Sequence, residues 1–100
     1  MLYTGKQIVS RVRTHIKKRG GTYNTWFVGT SKRPRAHLFA NHRVRKASDS
    51  WILMHAKSAT VAHKVKSYLV KTLGLNGGAG LDDPGADFVY AYKMSVHTKP

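Results

Sequence analysis

Apolar residues recur every three or four positions near the start of the chain. The stripe consists of Ile8, Val9, Val12 and Ile16. This spacing predicts an amphipathic helix over residues 4–19. Thr4 and Gln7 have the spacing of a capping box, in which each side chain binds a backbone N–H group at the helix start. The Gly-Gly pair that follows Arg19 supplies a stop signal.

Beyond this helix, short β-rich runs alternate with helical patterns. The predicted elements are a strand over 22–30, a short helix from Pro34 to about His42, a strand over 51–56, a helix from the Ser58 cap through Leu73, and a strand over 88–93. The order α-β-α-β-α-β predicts an α+β fold. We expect a small, three-stranded, largely antiparallel sheet packed with three helices.

The chain shows no internal repeat and no linker, which predicts one domain over residues 1–100. Within it we distinguish a basic N-terminal helix (1–21), a core (22–93) and a tail (94–100). The loop over 74–87 is too rich in glycine and proline for regular structure, and its Gly-Gly-Ala-Gly run lacks the features of a phosphate-binding fingerprint.

Composition narrows the class of protein. The 100 residues are 41% apolar and 10% aromatic, too high for a disordered polycation. Cysteine is absent, which excludes disulfide scaffolds and thiolate zinc sites. No apolar run approaches the ~20 residues of a membrane span, and no signal-peptide pattern follows the first residue. We therefore expect a cytoplasmic protein without a membrane partner.

Charge is the strongest compositional signal. The formal net charge is +14, and residues 1–66 carry 15 of the 18 Lys and Arg but only one acid, Asp49. Such a chain predicts a polyanionic partner, with nucleic acid, and DNA first, as the leading class and an acidic protein as the alternative. The candidate phosphate contacts are Arg13, Lys17, Lys32, Arg33, Arg35, Arg43, Arg45, Lys46, Lys64 and Lys66.

The segment WFVGTSKRPRAHLFANH resembles the second signature of the GIY-YIG nuclease superfamily. Phe27-Val28-Gly29-Thr30 matches the strand end, Pro34 the helix start, Leu38 a core position and His42 the trailing histidine. The ending GGAGLDDPGADFVYAYK looks like a small bacterial and phage subgroup of that family. The resemblance covers residues 22–93 by order of elements, with residue matches mostly in 22–42 and 74–93. It implies a GIY-YIG-like fold that binds DNA.

The resemblance also implies a substituted catalytic site. Tyr23, Phe27, His37, His42 and Lys66 occupy or lie near positions that form the family's site. Phe27 lacks the hydroxyl of the family's tyrosine, His37 lacks the fork of its arginine, and Lys66 replaces its metal-binding glutamate. We therefore expect no metal ligands, no cofactor and no cleavage by the family's mechanism; Mg²⁺ or Mn²⁺ would matter only if nuclease activity is retained.

The family's first signature is displaced. Gly21-Thr22-Tyr23 precedes Phe27 too closely for the two strands of a hairpin. The C-terminal strand FVYAY would instead lie beside the Phe27 strand and supply a tyrosine, Tyr90 or Tyr92. This hypothesis makes the sheet a rearranged version of the family's sheet.

Three functions follow from these patterns. The first is a DNA-binding protein with a degenerate GIY-YIG-like site. The second is an active endonuclease with an altered site, in which Tyr23, Tyr90 or His42 acts as base, His37 or Arg35 contacts phosphate, and Asp82 or Asp83 binds metal. The third is a basic interaction module or inhibitor that binds an acidic protein.

The aromatic residues divide into two predicted groups. Phe27, Phe39, Trp51, Tyr68 and Phe88 have core-compatible spacing and are assigned to packing. Of Tyr23 and Trp26, one is a candidate for stacking on a base. The six histidines show no zinc-ligand spacing, and the aspartates over 82–87 fit turn chemistry around Pro84 better than a cation site.

Overall fold

Helices pack on both faces of a three-stranded sheet. A computed structural model describes residues 2–77 and 84–100. Its elements are α1 (Gly5–Arg19), β1 (Trp26–Ser31), α2 (Pro34–Ala36), β2 (Trp51–His55), α3 (Ala59–Tyr68) and β3 (Phe88–Lys93). Wider helical turns extend α2 over His37–Asn41 and α3 over Leu69–Leu73. This arrangement confirms the predicted α+β fold class.

The last strand in sequence is the central strand of the sheet. The strand order is β1-β3-β2, and both pairings are antiparallel. Phe27 lies opposite Tyr92, and Gly29 lies opposite Tyr90. The predicted placement of the C-terminal strand beside the Phe27 strand is therefore confirmed.

Side chains alternate along the strands and divide the interior into two cores. The first core contains Ile8, Val12 and Ile16 of α1, Ala62, Val65 and Leu69 at α3, and the strand residues Trp26, Val28, Met54, Val89 and Ala91. The second core contains Phe27, Leu38, Val44, Tyr90 and Tyr92. Because neighbouring strand residues point to opposite faces, α1 and α3 cover one face of the sheet and the α2 segment covers the other.

The helix boundaries follow the capping signals. Gln7 N–H donates to the Thr4 hydroxyl at 3.2 Å, and Thr4 N–H donates to the Gln7 side chain at 2.9 Å. Ser58 accepts the N–H of Val61 at the start of α3. The extension of α3 ends at Gly74, whose φ of 88° favours glycine.

The first predicted strand is shorter than expected. Residues 23–25 form a single helical turn, and β1 begins at Trp26. The Thr22 carbonyl accepts both the N–H of Thr25, at 3.0 Å, and its hydroxyl, at 2.7 Å. Local side-chain hydrogen bonds of this kind favour turns over strands, which the β-branched composition of the segment conceals.

Of the two stacking candidates, Tyr23 and Trp26, the structure leaves Tyr23, and the assignment of Tyr68 to packing is wrong. Trp26 is fully buried and its indole N–H donates to the Gly20 carbonyl at 3.2 Å, so it offers no exposed ring for stacking. Tyr68, assigned to packing, is 42% exposed. Its position on α3 turns the ring toward α1 rather than toward the sheet.

The tail folds back on the α2 segment. Lys99 N–H donates to the His42 carbonyl at 2.7 Å. Nearby, the His97 ring lies 2.6 Å from an Asp49 carboxylate oxygen. Among the described residues, no helix has the length and apolar character needed to cross a bilayer.

Candidate nucleic-acid interface

Backbone geometry after α2 places His42 against the sheet. The N–H of His42 donates to the His37 carbonyl at 2.8 Å, five residues earlier, which closes a π-type turn. The next residue, Arg43, has a φ of 58°, the left-handed region that ordinary side chains rarely adopt. Val44 then returns to the second core and donates its N–H to the Leu38 carbonyl. The turn and the left-handed residue together fix the position of the imidazole.

Both ring nitrogens of His42 make hydrogen bonds. Nδ1 lies 2.5 Å from the Lys99 carbonyl oxygen, and Nε2 lies 2.8 Å from the Tyr90 hydroxyl. A carbonyl only accepts, so Nδ1 carries the proton and donates to it. In the neutral ring Nε2 therefore accepts from the Tyr90 hydroxyl. The Tyr92 hydroxyl also donates to the Lys99 carbonyl, at 3.1 Å.

Tyr90 occupies its position because Gly29 lies opposite it. A Cβ atom built on Gly29 would overlap the hydroxyl and ring carbons of Tyr90. Only glycine leaves room for this ring to lie across β1. The glycine of the Phe27-Val28-Gly29-Thr30 motif is thus required by close packing in the second core.

The rings form one contiguous group, the His42 cluster, defined as Phe27, His37, His42, Tyr90 and Tyr92. The His42 ring centroid lies 4.9 Å from that of Phe27, 5.1 Å from Tyr92 and 5.5 Å from Tyr90. His37 meets Tyr90 edge-on at 6.3 Å. Three of the five site positions implied by the resemblance, Phe27, His37 and His42, therefore come together here with Tyr90 and Tyr92.

Burial favours the neutral forms of His42 and Tyr92. Burial, with a further effect of His37, lowers the pKa of His42 below its ordinary value of 6.5, although the Lys99 carbonyl opposes the shift. Burial also raises the pKa of Tyr92 well above 10, with Tyr90 adding to the effect. The neutral imidazole accepts a hydrogen bond from the Tyr90 hydroxyl at 2.8 Å and so fixes the orientation of that phenol.

Cations line the chain before and after α2. We name this group the basic rim, and its members are Lys32, Arg33, Arg35, Arg43, Arg45 and Lys46, all with exposed side chains. The segment over 32–46 contains no acid. The N–H of Arg33 donates to the Ser31 hydroxyl at 2.8 Å and shapes the turn between β1 and α2.

The described carboxylates contact histidines. Asp49 pairs with His97 and accepts the N–H of Arg45 at 2.7 Å. Asp87 lies 2.7 Å from the His55 ring. These contacts lower the pKa of both carboxyl groups, against the effect of burial. Each carboxylate is thus held within the fold by a partner other than a rim side chain.

The described residues form no cluster suited to a divalent metal. Within residues 2–77 and 84–100, no three His, Cys, Asp or Glu side chains gather into a possible metal site. Lys66, which the resemblance aligns with a metal-binding glutamate, carries a positive charge. Asp82 and Asp83, the candidate ligands of the altered-site alternative, lie outside the described residues, as does most of the Gly-Gly-Ala-Gly run.

The other predicted site residues lie elsewhere. Arg13, Lys17, Tyr23 and Lys64 line an open groove between α1 and α3, on the opposite face of the sheet from the His42 cluster. Lys66 is half-buried on α3, with its side chain beside Gly77. The ten candidate phosphate contacts are therefore distributed over both sides of the sheet.

Sequence reasoning missed the contribution of the tail. The Lys99 carbonyl binds His42 and Tyr92, yet a backbone carbonyl near a chain end carries no sequence signal. The packing of Tyr90 over Gly29 was also missed. A glycine in an otherwise apolar strand was the available signal, because such glycines often mark a close approach.

Comparison with known proteins adds no relative. No family model matches the chain, and no curated protein or solved structure matches it.

Proposed function

We propose that this protein is a cytoplasmic DNA-binding protein that contacts the phosphates of duplex or branched DNA with little sequence dependence. The observation that carries the proposal is the basic rim. Six exposed cations fall within residues 32–46, which contain no acid. Phosphate binding by Lys and Arg releases counterions and needs no base contact, so such a rim suffices for sequence-independent binding.

The position of the rim supports the same proposal. The rim residues occupy α2 and the segments on either side of it, and the α2 segment covers the second core. The described carboxylates of Asp87 and Asp49 hydrogen bond to His55 and His97. A bound polyanion would relieve the mutual repulsion of the rim cations.

We interpret the sheet as a rearranged GIY-YIG-like sheet. The pairing of β3 with β1 places Tyr90 and Tyr92 next to Phe27 and Gly29, as the displaced-signature hypothesis requires. His42 then hydrogen bonds to Tyr90, which supports a common origin of these positions.

This site is proposed to hold DNA without cleaving it by the family's mechanism. Phe27 has no hydroxyl, and Lys66 stands where a carboxylate would bind the metal. The described residues hold no cluster of three metal-ligating side chains. The protein's own contribution is electrostatic: fixed cations that bind phosphate and a neutral His–Tyr pair beside them.

One observation favours a second candidate, an endonuclease with an altered site. The 2.8 Å contact between the Tyr90 hydroxyl and His42 Nε2 would suit proton abstraction, with His42 or Tyr90 as the base. Arg35 or His37 would then contact the phosphate. The third candidate is a module that binds an acidic protein. It would use the cations that line the groove between α1 and α3.

A single incubation separates the DNA-binding and nuclease candidates. Pure protein is mixed with labelled single-stranded, duplex and branched DNA, in Mg²⁺, in Mn²⁺ and in chelator, and each sample is run on native and denaturing gels. We expect shifted but intact DNA in every condition. Metal-dependent fragments that disappear in His42→Gln and Tyr90→Phe would establish the nuclease, whereas no shift at low salt would refute both.

A further inference from the structure

A large concave surface of the described residues lies away from the basic rim. Helices α1 and α3 leave between them an open groove of about 1030 Å³, which we call the α1–α3 groove. Its apolar lining includes Val9, Ile16, Val61, Val65 and Tyr68. Tyr68 is among the few large hydrophobic side chains that are exposed among the described residues. The groove therefore presents apolar surface to water.

Cations border this apolar lining. Lys6, Arg13 and Lys17 on α1 and Lys64 on α3 line the groove with exposed side chains, and the described lining contains no acid. The three α1 cations are seven and four residues apart, so they lie on one side of the helix. Along α1 they form a row parallel to the groove.

These two properties restrict what the groove accommodates. A duplex presents phosphates and would leave the apolar lining exposed or unmatched. A second copy of this chain also carries a net charge of +14 and would be repelled by the four cations. The occupant must combine apolar surface with negative charge.

We propose that the α1–α3 groove docks an acidic amphipathic helix of a partner protein. Such a helix would place apolar residues at i, i+3 or i+4 and i+7 in the groove and aspartates or glutamates beside the cations. The 15 residues of α1 extend over about 22 Å, which matches a partner helix of about four turns. This interface is separate from the DNA-binding site and does not depend on it.

The probe is a fluorescent synthetic helix with leucines on one stripe and glutamates on its flanks, of about 18 residues. Two control peptides are used. The first has the same composition in a non-amphipathic order, and the second keeps the order but has lysines in place of the glutamates. We expect saturable binding of the acidic amphipathic peptide by anisotropy and weak binding of both controls. Backbone amide shifts in NMR spectra should change along α1 and α3.

Charge-matched variants test the position of the site. Arg13→Ala/Lys17→Ala should weaken peptide binding about 3- to 10-fold. Lys18→Ala/Arg19→Ala removes the same charge from exposed positions of the same helix that do not line the groove, and it should leave affinity within about 2-fold.

Apolar variants test the floor of the groove in the same way. Tyr68→Ser should weaken binding about 10-fold, since exposed aromatic anchors dominate such interfaces. Val96→Ser, at a fully exposed tail position, is the matched control and should have no effect. Both variants remove exposed side chains, so folding should be retained and is checked by circular dichroism.

Two results would overturn the inference. One is that the acidic amphipathic peptide does not bind, or binds no more tightly than the two control peptides. The other is loss of single-stranded DNA binding in Arg13→Ala/Lys17→Ala and Tyr68→Ser but not in their controls, which would make the groove a nucleic-acid site. The DNA-binding proposal fails by a different result. If the wild type does not bind duplex DNA but still binds the acidic peptide, only that proposal is refuted.

Discussion

The two faces of the sheet use aromatic and basic residues in opposite ways. In the His42 cluster the polar groups of Tyr90, Tyr92 and His42 bind one another and the Lys99 carbonyl, so the surface is closed by internal hydrogen bonds. The α1–α3 groove is open, and its apolar side chains meet water. The polar groups of the first face are therefore paired with one another, whereas the second face leaves apolar side chains in contact with water.

The exposed cations therefore lie on two separate surfaces rather than in one continuous basic patch, and each of the two proposals concerns one of them. The basic rim lies beside the closed face, where fixed cations suit a rigid polyanion. The groove cations border apolar surface, which suits an amphipathic partner. The charge of +14 alone does not reveal this division, because composition carries no information on which face a residue occupies.

The largest expected effect is at the glycine of the closed face. Gly29→Ala would place a Cβ inside the ring of Tyr90, which is held by His42, so the unfolding free energy should fall by about 3 kcal/mol. In a Tyr90→Ala background the same change should cost much less. Urea denaturation of the double-mutant cycle measures the coupling, and additive effects would contradict the packing described here.

Gly5→Ala is the corresponding change on the groove face. Its Cβ would lie 3.4 Å from a Val65 methyl group, an ordinary contact, and alanine is the better helix former. Stability should be unchanged or increase by up to about 1 kcal/mol. A loss as large as that of Gly29→Ala would remove the contrast between the faces.

His42→Ala tests the hydrogen bonds of the closed face. The variant leaves the Tyr90 hydroxyl without its His42 partner and removes one donor to the Lys99 carbonyl, so the expected loss is about 2 kcal/mol. Hydrogen exchange at the Lys99 amide should accelerate as the tail loosens. Unchanged exchange would mean that the tail is held without the imidazole.

Stability should also fall as the solution is acidified from pH 7. Folding lowers the pKa of His42 and of His15, in both cases mainly by burial. The unfolded chain then binds more protons below pH 6.5, so the stabilisation is complete above that value and declines below it. Asp49 and Asp87, with lowered pKa values, lose their contribution only below about pH 3.8.

Urea denaturation at several pH values between 7 and 5 measures this loss of stability as the histidines become protonated. His42→Gln should show a shallower decline in unfolding free energy than the wild type. An identical decline in both proteins would show that the imidazole of His42 does not contribute.

The smallest expected effect is at Arg43. Glycine accepts a φ of 58° without the steric penalty of a side chain, so Arg43→Gly should be neutral or stabilising by up to about 1 kcal/mol. The same variant should weaken DNA binding slightly by removing one rim cation. Thermal denaturation checks the first expectation, and a clear loss of stability would contradict it.

The parts of the fold that rest on local signals were predictable. The Thr4 capping box, the Ser58 cap and the apolar stripe of α1 appear in the structure as the sequence predicts. The start of β1 at Trp26 was not predictable from the sequence, because the hydrogen bonds of Thr25 to the Thr22 carbonyl compete with the β propensity of threonine. The local sequence around Tyr68 did not reveal which side of α3 its ring would occupy.

The candidate site was predictable only in part. His37, His42 and Phe27 were named, and the placement of Tyr90 and Tyr92 beside Phe27 was expected from the displaced signature. Lys99 was not identified, because its contribution is a carbonyl brought close by tertiary folding. The separation of Lys64 from the rim likewise depends on long-range packing.

The salt dependence of duplex DNA binding is the decisive test of the proposal that the basic rim binds DNA phosphates. Affinity is measured over a salt series for the wild type, for Arg33→Ala/Arg35→Ala/Arg43→Ala on the rim, and for Arg13→Ala/Lys17→Ala/Lys64→Ala on the groove, which loses the same charge. If the rim binds phosphates, the slope of log affinity against log salt should be about three units shallower in the rim variant than in the wild type. The groove variant should keep the wild-type slope. A flattened slope in the groove variant with an unchanged rim variant, or no binding by the wild type at low salt, would contradict it.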